Sequence, residues 1–211
     1  MDIPGVKDIV LCQDDISDEL LSVFSRSKTI AWDIETSGLD WRTEKIATCQ
    51  IYALGGPAAI VRMGESKPKN LCSLLCDGSV KKIFHYAMFD LRFMSSHWKV
   101  EPKNIACTKI AIKLLDPGHF RKHGLKNLLK DMFQIEIDKT QCLSNWFAEE
   151  LSQDQKDYAV NDVIYLIQLL EKLESELEDQ NLLDTEYECF AALPLMVKLE
   201  VDGYNGMYDY K

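Results

Sequence analysis

The chain has 211 residues, enough for one substantial α/β domain, and its 46% hydrophobic and 27% charged residues are ordinary for a globular protein. No apolar run approaches the roughly 20 residues of a membrane span, and the N-terminus lacks the basic start and apolar stretch of a secretory signal, so a cytoplasmic protein without membrane association is expected. The formal charge of −10 argues against a long non-specific nucleic-acid track, but it is polarised: residues 171–188 hold eight acidic residues against one lysine, while 101–130 hold seven Lys or Arg against Glu101 and Asp116.

In chain order, a short helix is predicted over 15–25 and a strand over 29–34 (TIAWDI). At the end of that strand stands Asp33-Ile34-Glu35-Thr36. Strand residues two apart share a face, so Asp33 and Glu35 project together and make an anionic spot suited to a hard cation. A solvated strand edge is the alternative. Strands at 45–53 and 58–62, separated by Gly55-Gly56-Pro57, complete an antiparallel meander.

A strand at 81–85 and a helix at 87–98 follow. Asp90 sits there among Phe84, Ala87, Phe89, Leu91 and Phe93, either as a functional acid or as one satisfying the helix dipole. A last strand at 104–107 brings the count to five, so the expected fold class is α/β, a mixed five-stranded sheet flanked by helices. Helices are predicted at 109–115, at 125–133 after the Asp116-Pro117-Gly118 break, from 153 to about 180 behind Ser152 as N-cap, and at 184–201, ending at Gly203. On the long helix Tyr158 and Asp162 are four apart and stack on one face. An aspartate among Ala159, Val160, Val163, Ile164 and Leu166 is costly to bury unless it is paired or binds metal. The seven cysteines are scattered and form no Cys-x-x-Cys pair, which points to reduced thiols rather than a disulfide framework or a soft-metal site.

A strand carboxylate pair, a later Asp and a Tyr-x-x-x-Asp on a late helix resemble, in that order, the DEDDy 3′–5′ exonucleases, specifically the ribonuclease D-like branch and the proofreading domain of family A DNA polymerases. The flanking segments His123-Gly124-Leu125-Lys126-Asn127-Leu128, Lys139-Thr140-Gln141, Ser144-Asn145-Trp146 and Leu151-Ser152 look like further signposts of that family. The resemblance covers about residues 15–175 and implies a ribonuclease H-like fold. It also implies that Asp33, Glu35, Asp90 and Asp162 hold two divalent cations, Mg²⁺ or Mn²⁺, with Asp33 bridging them and Asp90 acting largely through water. Tyr158, with an ordinary pKa of about 10, is expected to orient the attacking water rather than to serve as a base. The implied reaction is hydrolysis from the 3′ end of single-stranded RNA or DNA with release of nucleoside 5′-monophosphates.

Thr36 and Leu39 follow the acid pair, where the family meets the terminal nucleotide, although Leu39 also suits ordinary loop packing. His85 either lines the site or is a satisfied semi-buried histidine. Arg121, Lys122, His123 and Lys126 either receive phosphates or form a solvated basic loop. Tyr86 departs from the asparagine that polymerase proofreading domains carry four residues before the third acid. The chain is read as an exonuclease domain over 1–183 and a helical extension over 184–211 that resembles the start of a family A polymerase domain. That extension caps the core or meets a partner copy, so a homo-oligomer is one expectation. A proofreading exonuclease acting with a separate polymerase and a catalytically silent nucleic-acid-binding module are the competing functions.

Overall fold

Residue choice along the first long strand explains the centre of the molecule. In the computed structural model, which describes residues 6, 8–138, 140–204, 206 and 207, the run TIAWDIET forms strand β2 (Thr29–Thr36). Its β-branched and aromatic residues suit a pleated surface buried on both sides. Trp32 and Ile34 point into one layer, where Trp32 stacks on Phe84 at 6.2 Å between ring centres. Asp33 and Glu35 take the other face.

Among the described residues six strands form one mixed sheet: β1 (Ile9–Gln13), β2, β3 (Ile46–Tyr52), β4 (Ala58–Arg62), β5 (Lys81–Phe84) and β6 (Ile105–Cys107), in the order β1-β4-β3-β2-β5-β6. The β2-β3-β4 meander is antiparallel as expected, and β5 and β6 extend it in parallel beyond β2. The expected count of five is corrected to six. β1 pairs in parallel with β4 at the sheet edge, and its half-exposed residues carry too little apolar alternation to mark a strand.

The helices are α1 (Asp18–Arg26), α2 (Lys69–Cys76), α3 (Ala87–Trp98), α4 (Thr108–Leu115), α5 (Leu125–Phe133), α6 (Gln153–Asn161), α7 (Leu166–Asp179) and α8 (Leu183–Val201). α2 is an addition to the sequence reading, hidden behind the loop-like Gly64-Glu65-Ser66-Lys67-Pro68 that precedes it. The single helix predicted from 153 to about 180 is a second correction: α6 stops at Asn161, and a turn over 162–165 redirects the chain into α7. Asp162 at the C-cap opposes the helix dipole, and the β-branched Val160, Val163 and Ile164 weaken continuation. At the start of α6, Ser152 accepts from the Gln155 N–H while the Gln155 side chain accepts from the Ser152 N–H, a reciprocal cap.

α6 lies across β3 and β4, α7 across β2 and β5, and α8 packs on α3, α4 and β6. Phe190, Leu193 and Val197 carry the inner face of α8, so it covers the body of the domain, while Met196 is exposed. All seven cysteines are free, and among the described residues no helix is long and apolar enough to cross a membrane.

Candidate metal centre

Three separate elements deliver the acids. β2 presents Asp33 and Glu35 side by side, and the turn after α6 presents Asp162. One carboxylate oxygen from each of the three lies within 4.8 Å of the others. Asp162 is buried, while Asp33 and Glu35 are half-buried. Asp162 keeps its helical link to Tyr158, its N–H donating to the Tyr158 carbonyl at 3.2 Å. The two side chains therefore arrive on one turn, as the four-residue spacing predicts.

Asp90 stands beside this trio rather than within it. It enters from the first turn of α3, is buried, and its Oδ1 accepts from the Ile34 N–H at 3.2 Å. Its carboxylate thus rests on the backbone between Asp33 and Glu35. Burial first, and then the charges of Asp33 and Asp162, push its pKa well above the ordinary carboxylate range, against the pull of its hydrogen bonds. Tyr86 makes this approach possible: at φ 78° it turns the chain left-handed between β5 and α3. For a tyrosine that conformation costs roughly 1–3 kcal/mol, and such strain gathers at functional sites.

Tyr158 is buried, with its ring tilted against Trp146 at 5.7 Å between centres. Burial and then Asp162, Glu35 and Asp33 drive its pKa far above that of a free phenol. It holds its proton throughout the physiological range, so it offers a hydrogen-bond donor beside the acids.

The other predicted residues fare differently. The Thr36 hydroxyl donates to the Gly38 carbonyl at 2.6 Å and shapes the loop after the acids. Leu39 on that loop is 84% exposed, which removes loop packing as its role. His85 is half-buried, its Nδ1 2.9 Å from the Thr108 hydroxyl, which itself donates to the Phe84 carbonyl. Arg121, Lys122 and Lys126 are exposed. His123, by contrast, is tied to Asp116, Nε2 to Oδ2 at 2.7 Å, and the Phe120 and Arg121 N–H groups bind the same carboxylate. The Asp116 carboxylate therefore gathers the basic loop, with His123 as one of its partners. Lys139, from one of the signposts, lies outside the described residues.

Sequence reasoning passed over Thr48 and Gln50. They are fully buried on β3, directly opposite Glu35 and Asp33, and the Gln50 amide donates to the Thr48 hydroxyl at 2.6 Å. Two polar residues at alternate positions of an otherwise apolar strand were the available signal. A cavity of about 880 Å³ between α8 and the 99–106 segment, lined among others by Lys99, Ile105 and Phe190, includes none of Asp33, Glu35, Asp90 and Asp162.

The clustered donors are three carboxylates, with Asp90 beside them, a set of hard oxygen donors that suits a hard divalent cation rather than a soft metal. Burial is the first cause of the raised Asp90 pKa, and the charges of Asp33 and Asp162 that add to it are what a cation here would neutralise.

Comparison with known proteins agrees with this architecture. A solved structure described as the apo form of the nuclease is 36% identical, with a TM-score of 0.87 over 93% of this chain and 95% of its own. Brucella melitensis NrnC bound to pGG is 32% identical, with a TM-score of 0.85 over 97% of each chain, and the same protein has been solved with bound Mg²⁺. Ribonuclease D of Musicola paradisiaca is 26% identical over 167 residues, 79% of this chain; the chain spans only 44% of that relative's length. The model of the 3′–5′ exonuclease family matches residues 9–178. That span opens at the first residue of β1, closes near the end of α7 and contains every acid of the cluster, and the chain belongs to the 3′–5′ exonuclease family.

Proposed function

We propose that the protein removes nucleotides from the 3′ end of single-stranded nucleic acid, releasing nucleoside 5′-monophosphates, with two divalent cations held by Asp33, Glu35, Asp90 and Asp162. The observation that carries this reading is the convergence of Asp33, Glu35 and Asp162 within 4.8 Å, with Asp90 seated on the intervening backbone. When bound, the cations neutralise the phosphodiester, make an attacking water nucleophilic and stabilise the leaving 3′-oxygen. Tyr158 holds a proton beside the acids and orients that water by donating or sharing a hydrogen bond. Exposed Leu39 lies against the terminal base and Thr36 positions the backbone that meets the 3′-hydroxyl, with His85 at the rim. Arg121, Lys122 and Lys126 face the phosphates, and Asp116, with His123 as one of its partners, gathers the loop that carries them.

Very short substrates are favoured within this reading. NrnC, similar over 97% of this chain, was solved with pGG, and a chain with a charge of −10 has little to hold a long strand with. The helix α8 is read as completing the nuclease body, since it packs on α3, α4 and β6. An RNA oligonucleotide, single-stranded DNA, recessed duplex DNA and pGG, each with a 5′ label and Mg²⁺ or Mn²⁺, form the test. Stepwise shortening from the 3′ end is expected, with Asp33→Ala slower by at least about a hundredfold, the several kcal/mol a metal clamp supplies. No shortening of any substrate, or equal rates for Asp33→Ala, would end the proposal. Preference for a mismatched recessed DNA end would favour a proofreading role beside a separate polymerase.

A further inference from the structure

Arg62 ends β4 on the same face of the sheet as the acids. Thr48 of β3 lies opposite Arg62 on one side and opposite Glu35 on the other, so Arg62, Thr48 and Glu35 form one row across three strands. From there the Arg62 guanidinium reaches the loop before α6, donating from Nη2 to the Ala148 carbonyl at 2.7 Å and from Nη1 to the Glu149 carbonyl. The same loop carries Trp146, which supports the Tyr158 ring, and it runs into the Ser152 cap of α6. Gln155 fastens the loop from within α6, donating to the Ser144 hydroxyl and the Asn145 carbonyl at 3.0 and 3.1 Å. That second tie holds the loop to the helix, whereas Arg62 holds loop and helix together to the sheet.

We propose that Arg62 is a positioning residue, fixing the start of α6 over β4 and thereby the approach of Tyr158 and Asp162 to Asp33 and Glu35. The inference rests on the reading of those acids as a metal centre. A planar fork spanning two successive carbonyls sets direction as well as distance, which a lysine in its place cannot reproduce. Both carbonyls lie near solvent and can turn to water when the arginine is removed. The main loss is then one of placement rather than of a buried partner.

Amide hydrogen exchange in the metal-free protein tests this without relying on activity. Arg62→Ala should exchange at least about tenfold faster across 153–162 while β2 and β3 stay as in the wild type, and Arg62→Lys should fall between. In Mn²⁺ titrations and rate measurements Arg62→Ala should bind the ion about tenfold more weakly. Its kcat should drop about tenfold, recovering in excess Mn²⁺, with KM within twofold. Unchanged exchange across 153–162 overturns the proposal. Faster exchange through β2 and β3 as well also overturns it, because Arg62 would then serve general stability. A wild-type protein that binds no Mn²⁺ refutes the metal reading instead, and the exchange result still decides the role of Arg62.

Discussion

Tyr158 keeps its proton because its phenolate would be buried beside three carboxylates. Burial raises its pKa first, and Asp162, Glu35 and Asp33 raise it further. A phenol raised in this way is a poor general base and a ready hydrogen-bond donor. The consequence is testable with one atom: Tyr158→Phe keeps the ring against Trp146 and removes only the hydroxyl. It should lower kcat by roughly 10²–10³, the usual loss for one aligned donor, while leaving the Tm and the Mn²⁺ affinity near those of the wild type. The pH–rate profile of the wild type should show no limb from tyrosine ionisation below pH 10, and Tyr158→Phe should keep the same profile at its lower level. A profile that changes shape in the variant would assign the phenol a proton-transfer role instead.

α8 is a helix whose docking carries a penalty built into its inner face. Glu186 is fully buried there, and neither carboxylate oxygen meets a donor among the described residues. Nearby Lys81 is engaged with Glu174 at 3.3 Å. Burial, and then the charge of Glu174, raises the Glu186 pKa to about 7, against the pull of Lys81. A carboxyl raised on folding favours the folded state while protonated, and that contribution is lost as the pH climbs through about 7. Glu186→Gln should therefore raise the Tm at pH 8, by an amount corresponding to roughly 1–3 kcal/mol, and the gap should close as the pH falls toward 5. Thermal melts across that range check it; a variant that is less stable at pH 8 would mean the carboxylate has a partner in solution. Elements such as α8, α3 and α5 were legible in the sequence because their apolar stripes begin and end at recognisable caps and breaks. The break between α6 and α7 was not, because the stripe formed by Ala159, Val163, Leu166 and Leu170 continues straight across it. Spacing alone paired Asp33 with Glu35, by period two, and Tyr158 with Asp162, by period 3.6; the set of four acids, Asp90 included, came from the resemblance to the exonuclease family. Thr48, Gln50 and Arg62 gain their meaning only from strand register, which pairs positions far apart in the chain and leaves no mark in any local pattern.

At the scale of the whole molecule, the acid cluster is a place where β2, α3 and the end of α6 press like charges together. Without a cation that repulsion opposes folding; a bound cation would let the same residues cross-link three elements. Asp90 shows the sign most clearly, because its pKa is raised by burial, by Asp33 and by Asp162. Its protonated form supports the fold, and that support disappears as the pH rises through its elevated pKa. In EDTA at pH 8, Asp90→Asn should thus melt above the wild type, with the difference narrowing as the pH falls and the wild-type carboxyl takes up its proton. Adding Mn²⁺ should reverse the order. An ion that binds only the folded chain stabilises by about 2.7 kcal/mol at a hundred times its Kd, a rise of roughly 5–10 °C for a protein of this size. Asp90→Asn should show a smaller rise and Asp33→Asn almost none. Equal Mn²⁺-induced shifts in all three proteins would mean that the ion binds elsewhere, in the acidic 171–188 region for instance, and that the clustered acids do not cooperate. The comparison separates a centre built by the fold from the general attraction of a cation to a chain of charge −10, since that attraction scarcely changes when one acid is neutralised.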